Sequence, residues 1–228
     1  MIEETPKRIE LKCLYKETDW PFLEKNLLLS NLSFYQPFPP RFINSLYYDS
    51  HFLSSITESL NGSSVRTKFR CRWYGDLIQK TKSTFEIKKK LGQISWKVLI
   101  KNIFDINSAS QKWSGFINPE VSTSLGRFRI IATNQCPTSI VRYRRNYFVS
   151  SDSKIRVTID DQLQFFDQRF SSIPNTSINE TSHAGLVLEI KLHEKDADLI
   201  TIITNSINFI PSRFSKYCES LLPQKYFY

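Results

Sequence analysis

Glycine is scarce in this chain, and its scarcity limits how the protein can bind phosphate. The 228 residues include only six glycines, less than half the number expected at an average content of about 7%. No two of them lie close together. The chain therefore has neither the glycine-rich loop of P-loop nucleotide-binding proteins nor the GxGxxG turn of dinucleotide-binding folds. If the protein binds phosphate groups, side chains must make most of the contacts.

The chain also lacks the signatures of zinc sites, disulfide frameworks and membrane spans. Its four cysteines are widely spaced without a CxxC pair, and its three histidines form no metal-binding spacing. This cysteine usage predicts a reducing compartment, and we expect a cytoplasmic protein. No apolar run approaches the roughly 20 residues that span a bilayer. Residues 1–9 lack the apolar segment of a signal peptide.

Basic residues, in contrast, are in excess. The 31 lysines and arginines outnumber the 22 acidic residues, which gives a net charge of +9 and a pI near 9.4. Such a balance favours anionic partners: nucleic acid, phosphorylated small molecules or an acidic membrane surface. A hydrophobic content of 40% predicts a globular protein. The length, with no visible repeat or linker, predicts a single domain over residues 1–228.

One nine-residue stretch, VRTKFRCRW from Val65 to Trp73, concentrates this charge. Successive side chains of a strand point to opposite faces. One face therefore carries four cations, and the other is mainly apolar; the cations are Arg66, Lys68, Arg70 and Arg72. Cations about 7 Å apart repel one another unless an anion lies among them. The stretch therefore predicts a strand that holds a polyanion.

Alternation of polar and apolar residues predicts several further strands. Together with the basic strand they lie at about 8–14, 43–49, 65–75, 84–90, 95–101, 139–149, 154–160 and 186–193. Helices are predicted at about 18–31, 50–60, 195–209 and 212–222. Residues 102–138 predict helical pieces with loops, and a polar loop is expected at 170–183. Many strands with few helices favour an antiparallel α+β domain, with a closed barrel as one form of it.

Four other predicted strands also carry charged residues on one face and largely apolar residues on the other. The charged faces hold Glu10 and Lys12; Glu86, Lys88 and Lys90; Arg156, Thr158 and Asp160; and Glu189, Lys191 and His193. One interpretation is an ordinary antiparallel sheet with a solvated face. The other is a closed barrel whose lumen binds a polyphosphate or a nucleotide triphosphate tail, because arginine favours bidentate phosphate contacts. Isolated glutamates among cations suit a hard divalent metal.

The order of the motifs resembles a known family. The segments are Arg8-x-Glu10-x-Lys12, Ser45-Leu46-Tyr47-Tyr48-Asp49, Arg70-x-Arg72-Trp73-Tyr74-Gly75, Glu86-x-Lys88, Arg142-Tyr143-x-Arg145, Arg156-Val157-Thr158-Ile159-Asp160, Leu188-Glu189-Ile190-Lys191 and Ser215-Lys216-Tyr217. As a set they are similar to the VTC domain, the vacuolar transporter chaperone catalytic domain of polyphosphate polymerases, in the triphosphate tunnel metalloenzyme superfamily.

The resemblance implies an α+β fold: a closed eight-stranded antiparallel barrel with covering helices and a C-terminal helix. It implies metal-dependent transfer of the ATP γ-phosphate to a polyphosphate chain inside a basic tunnel, with Mn²⁺ or Mg²⁺ as cofactor. Catalytic roles would fall to Arg70, Arg72, Lys88, Arg142 and Arg156. These five would also bind substrate, together with Lys12, Arg145, Lys191, Ser215 and Lys216. The metal ligands would be Glu189 and Glu86.

Several alternatives stay open. Related tunnel enzymes hydrolyse triphosphates, but Arg8 stands where hydrolases of the ExExK type carry a glutamate. Some family members bind polyphosphate without polymerising it, and a separate membrane or regulatory partner would be needed to couple synthesis to transport. Nucleic-acid binding is disfavoured, because Phe69, Trp73 and Phe85 lie opposite the basic face, whereas an RNA-binding sheet carries aromatics and cations together.

Individual side chains have alternatives as well. Glu10 is a metal ligand or a partner that orients a neighbouring cation. The register of Lys97 is open. Among Lys88, Lys89 and Lys90, we expect Lys88 to point inward, with Lys90 as the second candidate. Asp160 is expected to face inward and pair with an arginine. Ser215 binds substrate or caps the last helix.

Overall fold

The computed structural model describes residues 2–78, 80–105, 134–177, 182–183, 185–207 and 209–222. Ten strands lie in this part of the chain: β1 Ile2–Glu4, β2 Arg8–Tyr15, β3 Arg41–Asp49, β4 Val65–Tyr74, β5 Lys80–Leu91, β6 Ile94–Asp105, β7 Cys136–Val149, β8 Ile155–Asp167, β9 Ser182–His183 and β10 Leu186–His193. The α-helices are α1 Trp20–Leu28, α2 Ser54–Leu60, α3 Leu199–Ser206 and α4 Lys216–Glu219. Single 3₁₀ turns lie at Glu17–Asp19 and Glu194–Asp196.

Eight of the strands close into an antiparallel barrel in the order β6-β2-β10-β8-β7-β3-β4-β5, and β5 pairs with β6 to complete the ring. β1 adds to the outside of this ring beside β6, and β9 beside β8. The β2–β6 contact is short, with Arg8 opposite Ser95 and Ile9 opposite Ile94. Closure leaves the ring without a free edge. The predicted closed eight-stranded barrel is confirmed.

Two apolar clusters lie on the outer face of the barrel, one of them under α1 and α3. On β4, the side chains of Phe69, Cys71 and Trp73 are at most 2% exposed and pack in a core with residues of β3, β5 and β6. Leu23 and Leu27 of α1 and Ile203 of α3 pack in a second core on β8 and β10. The charged alternate positions are thereby directed to the lumen, as the pattern predicted.

The last helix, α4, is fixed to one end of the barrel. The Tyr217 ring stacks on Tyr47 with centroids 4.8 Å apart. The Tyr217 hydroxyl donates to Asp49 Oδ2 at 2.8 Å and accepts from the Thr138 hydroxyl at 3.1 Å. Ser215 caps the helix by accepting from the backbone N–H of Cys218. The four-residue helix is therefore positioned by strands at the end of the barrel, not by its own length.

The boundaries of the elements differ from the predictions mainly where packing extends a strand. β5, β6 and β8 are several residues longer than predicted, since each continues its ladder with a neighbour. The two predicted tail helices shorten to α3 and α4. The expected helical pieces at 102–138 are replaced by strand at both margins, up to Asp105 and from Cys136, and residues 106–133 lie outside the described part. The described part of the 170–183 loop ends in β9.

Candidate active site

A cavity of about 1180 Å³, which we call the tunnel, lies within the barrel. Of the described residues, fifteen lysines and arginines line it, against three glutamates, which are Glu10, Glu189 and Glu219. The lining includes almost every side chain that the sequence assigned to the site: Lys12, Arg70, Arg72, Lys88, Arg145, Arg156, Glu189, Lys191, Ser215 and Lys216. Arg66, Lys68, Lys90 and Lys97 also line it, so the whole basic row of β4 faces the lumen. The tunnel is therefore a strongly cationic cavity, which favours anions.

The first ion-pair cluster in the wall surrounds Glu86 on β5. Its Oε2 accepts from Nε and Nη2 of Arg70 at 2.8 and 2.5 Å and lies 3.1 Å from Lys97 Nζ. Its Oε1 lies 3.6 Å from Arg72 Nη1. Burial alone would raise the pKa of Glu86, but Arg70, Arg72 and Lys97 outweigh it and hold the pKa well below the usual range. Glu86 is thus an ionised anchor for three cations.

The second cluster surrounds Glu189 on β10. Its Oε2 lies 2.5 Å from Lys191 Nζ and 3.8 Å from Arg145 Nη2, and its Oε1 lies 3.5 Å from Lys12 Nζ. Burial would raise the pKa of Glu189, but Lys191 and Lys12 lower it far more. The neighbouring Glu10 pairs with Lys88 at 2.5 Å across the lumen. Against burial, this lysine lowers the pKa of Glu10.

Asp160 on β8 joins the barrel wall to α4. It accepts from Arg145 at 2.5 and 2.7 Å and lies 2.6 Å from Lys216 Nζ. Its side chain is fully buried, and although burial opposes ionisation, Arg145 and Lys216 lower its pKa to about 2. The expectation that Asp160 faces inward and pairs with an arginine is confirmed. Through this pairing, Lys216 is positioned at the tunnel wall.

Several tunnel lysines lose part of their affinity for protons because water is excluded. Burial lowers the pKa of Lys68 to about 8 and that of Lys191 to about 8, although Glu189 opposes the shift at Lys191. Burial also lowers the pKa of Lys97 well below its usual value and lowers that of Lys216. A bound polyanion would reverse these shifts, because an opposite charge favours the protonated amine.

Two tyrosines in the tunnel were missed by the sequence interpretation. The Tyr47 hydroxyl accepts from Arg70 Nη1 at 3.3 Å, and the Tyr143 hydroxyl accepts from Arg72 Nη2 at 3.3 Å. Both line the tunnel. The sequence did contain a signal for this orientation. Tyr47 lies two residues after Ser45 and Tyr143 two residues before Arg145, and both Ser45 and Arg145 face inward. A tyrosine hydroxyl can donate a hydrogen bond as well as accept one, which suits both groups for contact with an anion.

The interpretation of Ser215 as a helix cap is confirmed, and its predicted contact with substrate stays a prediction. Its hydroxyl oxygen caps α4 and also accepts from Lys68 Nζ at 3.0 Å. The residue lines the tunnel beside Lys216. The cap therefore fixes a polar group at the lumen next to a lysine of the basic row.

Arg142 is the exception among the predicted substrate ligands. Its Nη1 donates to Asn44 Oδ1 at 2.9 Å and to the Gly75 carbonyl at 3.0 Å, and its guanidinium lies 4.1 Å from the Phe42 ring centroid. It lies on the outer face of β7, whereas Tyr143, Arg145 and Tyr147 line the tunnel. The assignment of Arg142 to the site is therefore corrected: residues 142 and 145 are three apart and cannot share a face of a regular strand.

The carboxylates fit a divalent metal unequally. Among the described residues, no group of three or more His, Cys, Asp or Glu side chains is arranged to hold a metal ion. Glu86 is not among the residues that line the tunnel, and Arg70 and Lys97 engage its Oε2, so the position does not support its predicted role as a ligand. Glu189 retains an oxygen with only a 3.5 Å ionic contact, and Glu10 is close enough for Glu189 to raise its pKa. This pair fits Mg²⁺ or Mn²⁺ that arrives with phosphate oxygens, as Mg²⁺ commonly binds.

The family profile described as the VTC domain matches residues 7–223, which include all eight barrel strands. The chain belongs to the VTC domain family. The predicted resemblance is confirmed, and the tunnel described above is the lumen of a VTC domain. No curated protein sequence is significantly similar to the chain.

Solved structures share the fold of this VTC domain at low sequence identity. A candidate adenylate cyclase from Bacillus halodurans aligns with a TM-score of 0.58 and 12% identity, over 99% of each chain. A candidate adenylyl cyclase from Hippeastrum with a dominant triphosphatase activity aligns with a TM-score of 0.54 and 12% identity, over 96% of this chain and 98% of that one. At this identity the similarity shows the fold alone.

The described helices are short. None of them combines the length and the apolar composition that crossing a bilayer requires.

Proposed function

We propose that the protein is a polyphosphate polymerase-like phosphotransferase that moves the γ-phosphoryl group of ATP onto a polyphosphate chain in the tunnel. The observation that carries the proposal is the lining of the tunnel, in which fifteen described cations face three glutamates. Membership of the VTC domain family supports it. Phosphate is bound here by side chains, in agreement with the shortage of glycine.

The chemistry needs positioning and charge neutralisation more than proton transfer. The terminal oxygen of the chain attacks the γ-phosphorus of ATP, a new P–O–P bond forms, the bond to the β–γ bridging oxygen breaks, and ADP leaves. The acceptor oxygen is already anionic, so no general base is required. Arg70, Arg72 and Arg145 would align the phosphates and offset their charge, and Tyr47 and Tyr143 would donate hydrogen bonds. Neither His51 nor His193 lines the tunnel.

Among the described residues, Glu189 and Glu10 are the best placed to hold Mn²⁺ or Mg²⁺ together with the substrate. Such an ion would supply positive charge that offsets the charge on the phosphates. Lys191, Lys12 and Lys88 keep these carboxylates ionised by lowering their pKa. The protein's own contribution is thus a pair of anionic oxygens held within a cationic wall.

The decisive experiment incubates the purified protein with ATP and Mn²⁺ and separates the products by size on a gel. A ladder of polyphosphate with stoichiometric ADP is expected. Release of single phosphates without polymer would favour a triphosphatase, an alternative supported by the activity of the Hippeastrum neighbour. Tight polyphosphate binding without turnover of ATP would indicate an accessory, non-catalytic protein. Both outcomes would contradict the polymerase proposal.

We also propose a cytoplasmic location and a separate partner for regulation or membrane coupling. The four cysteines are free, which supports a reducing compartment. ATP and polyphosphate are the proposed ligands, and nucleic acid is not proposed as one.

A further inference from the structure

The two ends of the tunnel differ in chemistry. Arg66 lies near the start of β4 and Tyr74 at its end, eight residues or about 27 Å apart along the strand. Around Arg66 the tunnel is lined by Lys90, Gln93 and Arg213. At the other end the lining contains a group that we call the aromatic mouth: Tyr35, Pro37, Phe38, Arg41 and Tyr147. Inorganic phosphate has no planar or apolar surface that could stack on such rings.

Arg41 organises the aromatic mouth. Its guanidinium carbon lies 4.3 Å from the ring centroid of Tyr74 and 5.1 Å from that of Tyr147, and its Nε donates to the Tyr147 hydroxyl at 3.0 Å. Phe38 meets Tyr147 edge to face, with centroids 6.0 Å apart. The side chains of Phe38 and Tyr35 are 58% and 48% exposed. Apolar rings are therefore open at the edge of an otherwise cationic cavity.

This mouth is continuous with the phosphate-binding wall. Arg41 on β3 is the cross-strand partner of Arg145 on β7, which binds Asp160 and faces the lumen. Directly paired residues have Cβ atoms about 5 Å apart. A ligand whose phosphates contact Arg145 would consequently place its next group at Arg41, Phe38 and Tyr147.

We propose that the aromatic mouth is the subsite for the base of a nucleoside triphosphate, with the base stacked on these rings and on Arg41 while the phosphates extend into the tunnel. Aromatic rings and arginine planes are the side chains that stack with bases. The inference rests on the proposed function and deepens it, because it makes a nucleotide, not inorganic triphosphate, the preferred phosphate donor.

The test measures binding of ATP and of tripolyphosphate by calorimetry without metal, for the wild type and for Tyr35→Ala/Phe38→Ala. The affinity for ATP should fall about tenfold, and that for tripolyphosphate should change less than twofold. The matched control is Phe170→Ala, which removes another exposed phenylalanine next to an arginine, 5.1 Å from Arg169 and away from the tunnel lining. It should change neither affinity.

Unchanged ATP binding in the double variant, or an equal loss for ATP and tripolyphosphate, would overturn the base subsite while the tunnel function stands. Failure of the wild type to bind either ligand would overturn the proposed function itself. Selective loss of ATP binding in a protein that makes no polymer would retain the subsite and reject the polymerase. Thermal melting of each variant confirms that it is folded.

Discussion

The guanidinium group of Arg145 binds both oxygens of the Asp160 carboxylate, at 2.5 and 2.7 Å. The next residue on each strand repeats the arrangement on the outer face, where Arg144 binds both oxygens of Asp161 at 2.9 and 2.8 Å. The inner pair is buried and also holds Lys216, whereas the side chain of Arg144 is 41% exposed. Two pairs of the same geometry thus differ in their contact with water.

Asp160→Asn should destabilise the protein by about 3 kcal/mol, because it leaves two buried cations without their counter-charge. Asp161→Asn, the matched control, should cost about 1 kcal/mol, since water solvates the released Arg144. Urea denaturation measures both. The inner variant alone should bind tripolyphosphate more tightly, because the tunnel has lost a negative charge. Equal destabilisation by the two variants would refute the distinction.

Arg156→Gln should weaken tripolyphosphate binding about tenfold, since Arg156 lines the tunnel and a charge-assisted hydrogen bond contributes roughly 1.5–3 kcal/mol. Arg142→Gln removes the same charge from the outer face of the barrel. It should change the affinity less than twofold. Titration calorimetry at a fixed salt concentration compares the two, and similar losses would show that only net charge matters.

Affinity for polyphosphate should fall as the pH rises above 8. Burial lowers the pKa of Lys68 and Lys191 to about 8 in the free tunnel, so both are protonated below that pH and lose charge above it. A bound polyanion raises the pKa of each amine, so binding near pH 8.5 should take up protons.

Calorimetry in two buffers of different ionisation enthalpy measures this uptake. Lys68→Met should reduce it by about half. Binding without proton uptake at pH 8.5 would contradict the lowered pKa values.

Removal of divalent metal should separate binding from turnover. The ion pairs in the tunnel wall are complete without a metal, so tripolyphosphate affinity in EDTA should stay within about threefold of its value with Mn²⁺. ATP turnover should fall at least about 100-fold. Glu189→Gln should likewise lose Mn²⁺-dependent turnover and retain tripolyphosphate binding. If this variant turned over ATP at the wild-type rate, Glu189 would not be the metal ligand.

Strand alternation made much of this architecture predictable. Because four cations occupy every second residue of β4, they had to lie on one face of the strand. The apolar residues between them lie on the other face, which had to be buried against other parts of the protein. The resemblance to the VTC domain then implied a closed ring of eight strands. Lys97, whose register was open, lies 3.1 Å from Glu86 because β6 pairs with β5 along its whole length.

The remaining features depend on geometry that the sequence does not display. Arg142 and Arg145 were assigned to one site because a motif contains both, although their spacing places them on opposite faces. Gln162 adopts a left-handed conformation at φ 51°, where the β7–β8 register shifts, and no sequence pattern indicated this irregularity. The role of Arg41 depends on Tyr74 and Tyr147, which meet it only through cross-strand pairing.

Because side chains at alternate strand positions form much of the described wall, many of the contacts at the lumen can be changed one codon at a time. A glycine-rich loop binds phosphate through its main chain. A substitution there changes the phosphate contacts only by changing the shape of the loop. Under the proposed function, the preference for chain length, for nucleotide over inorganic phosphate, and for operating pH would each depend on a different residue. The barrel is therefore a promising scaffold for designing receptors graded by the number of phosphates that they accept.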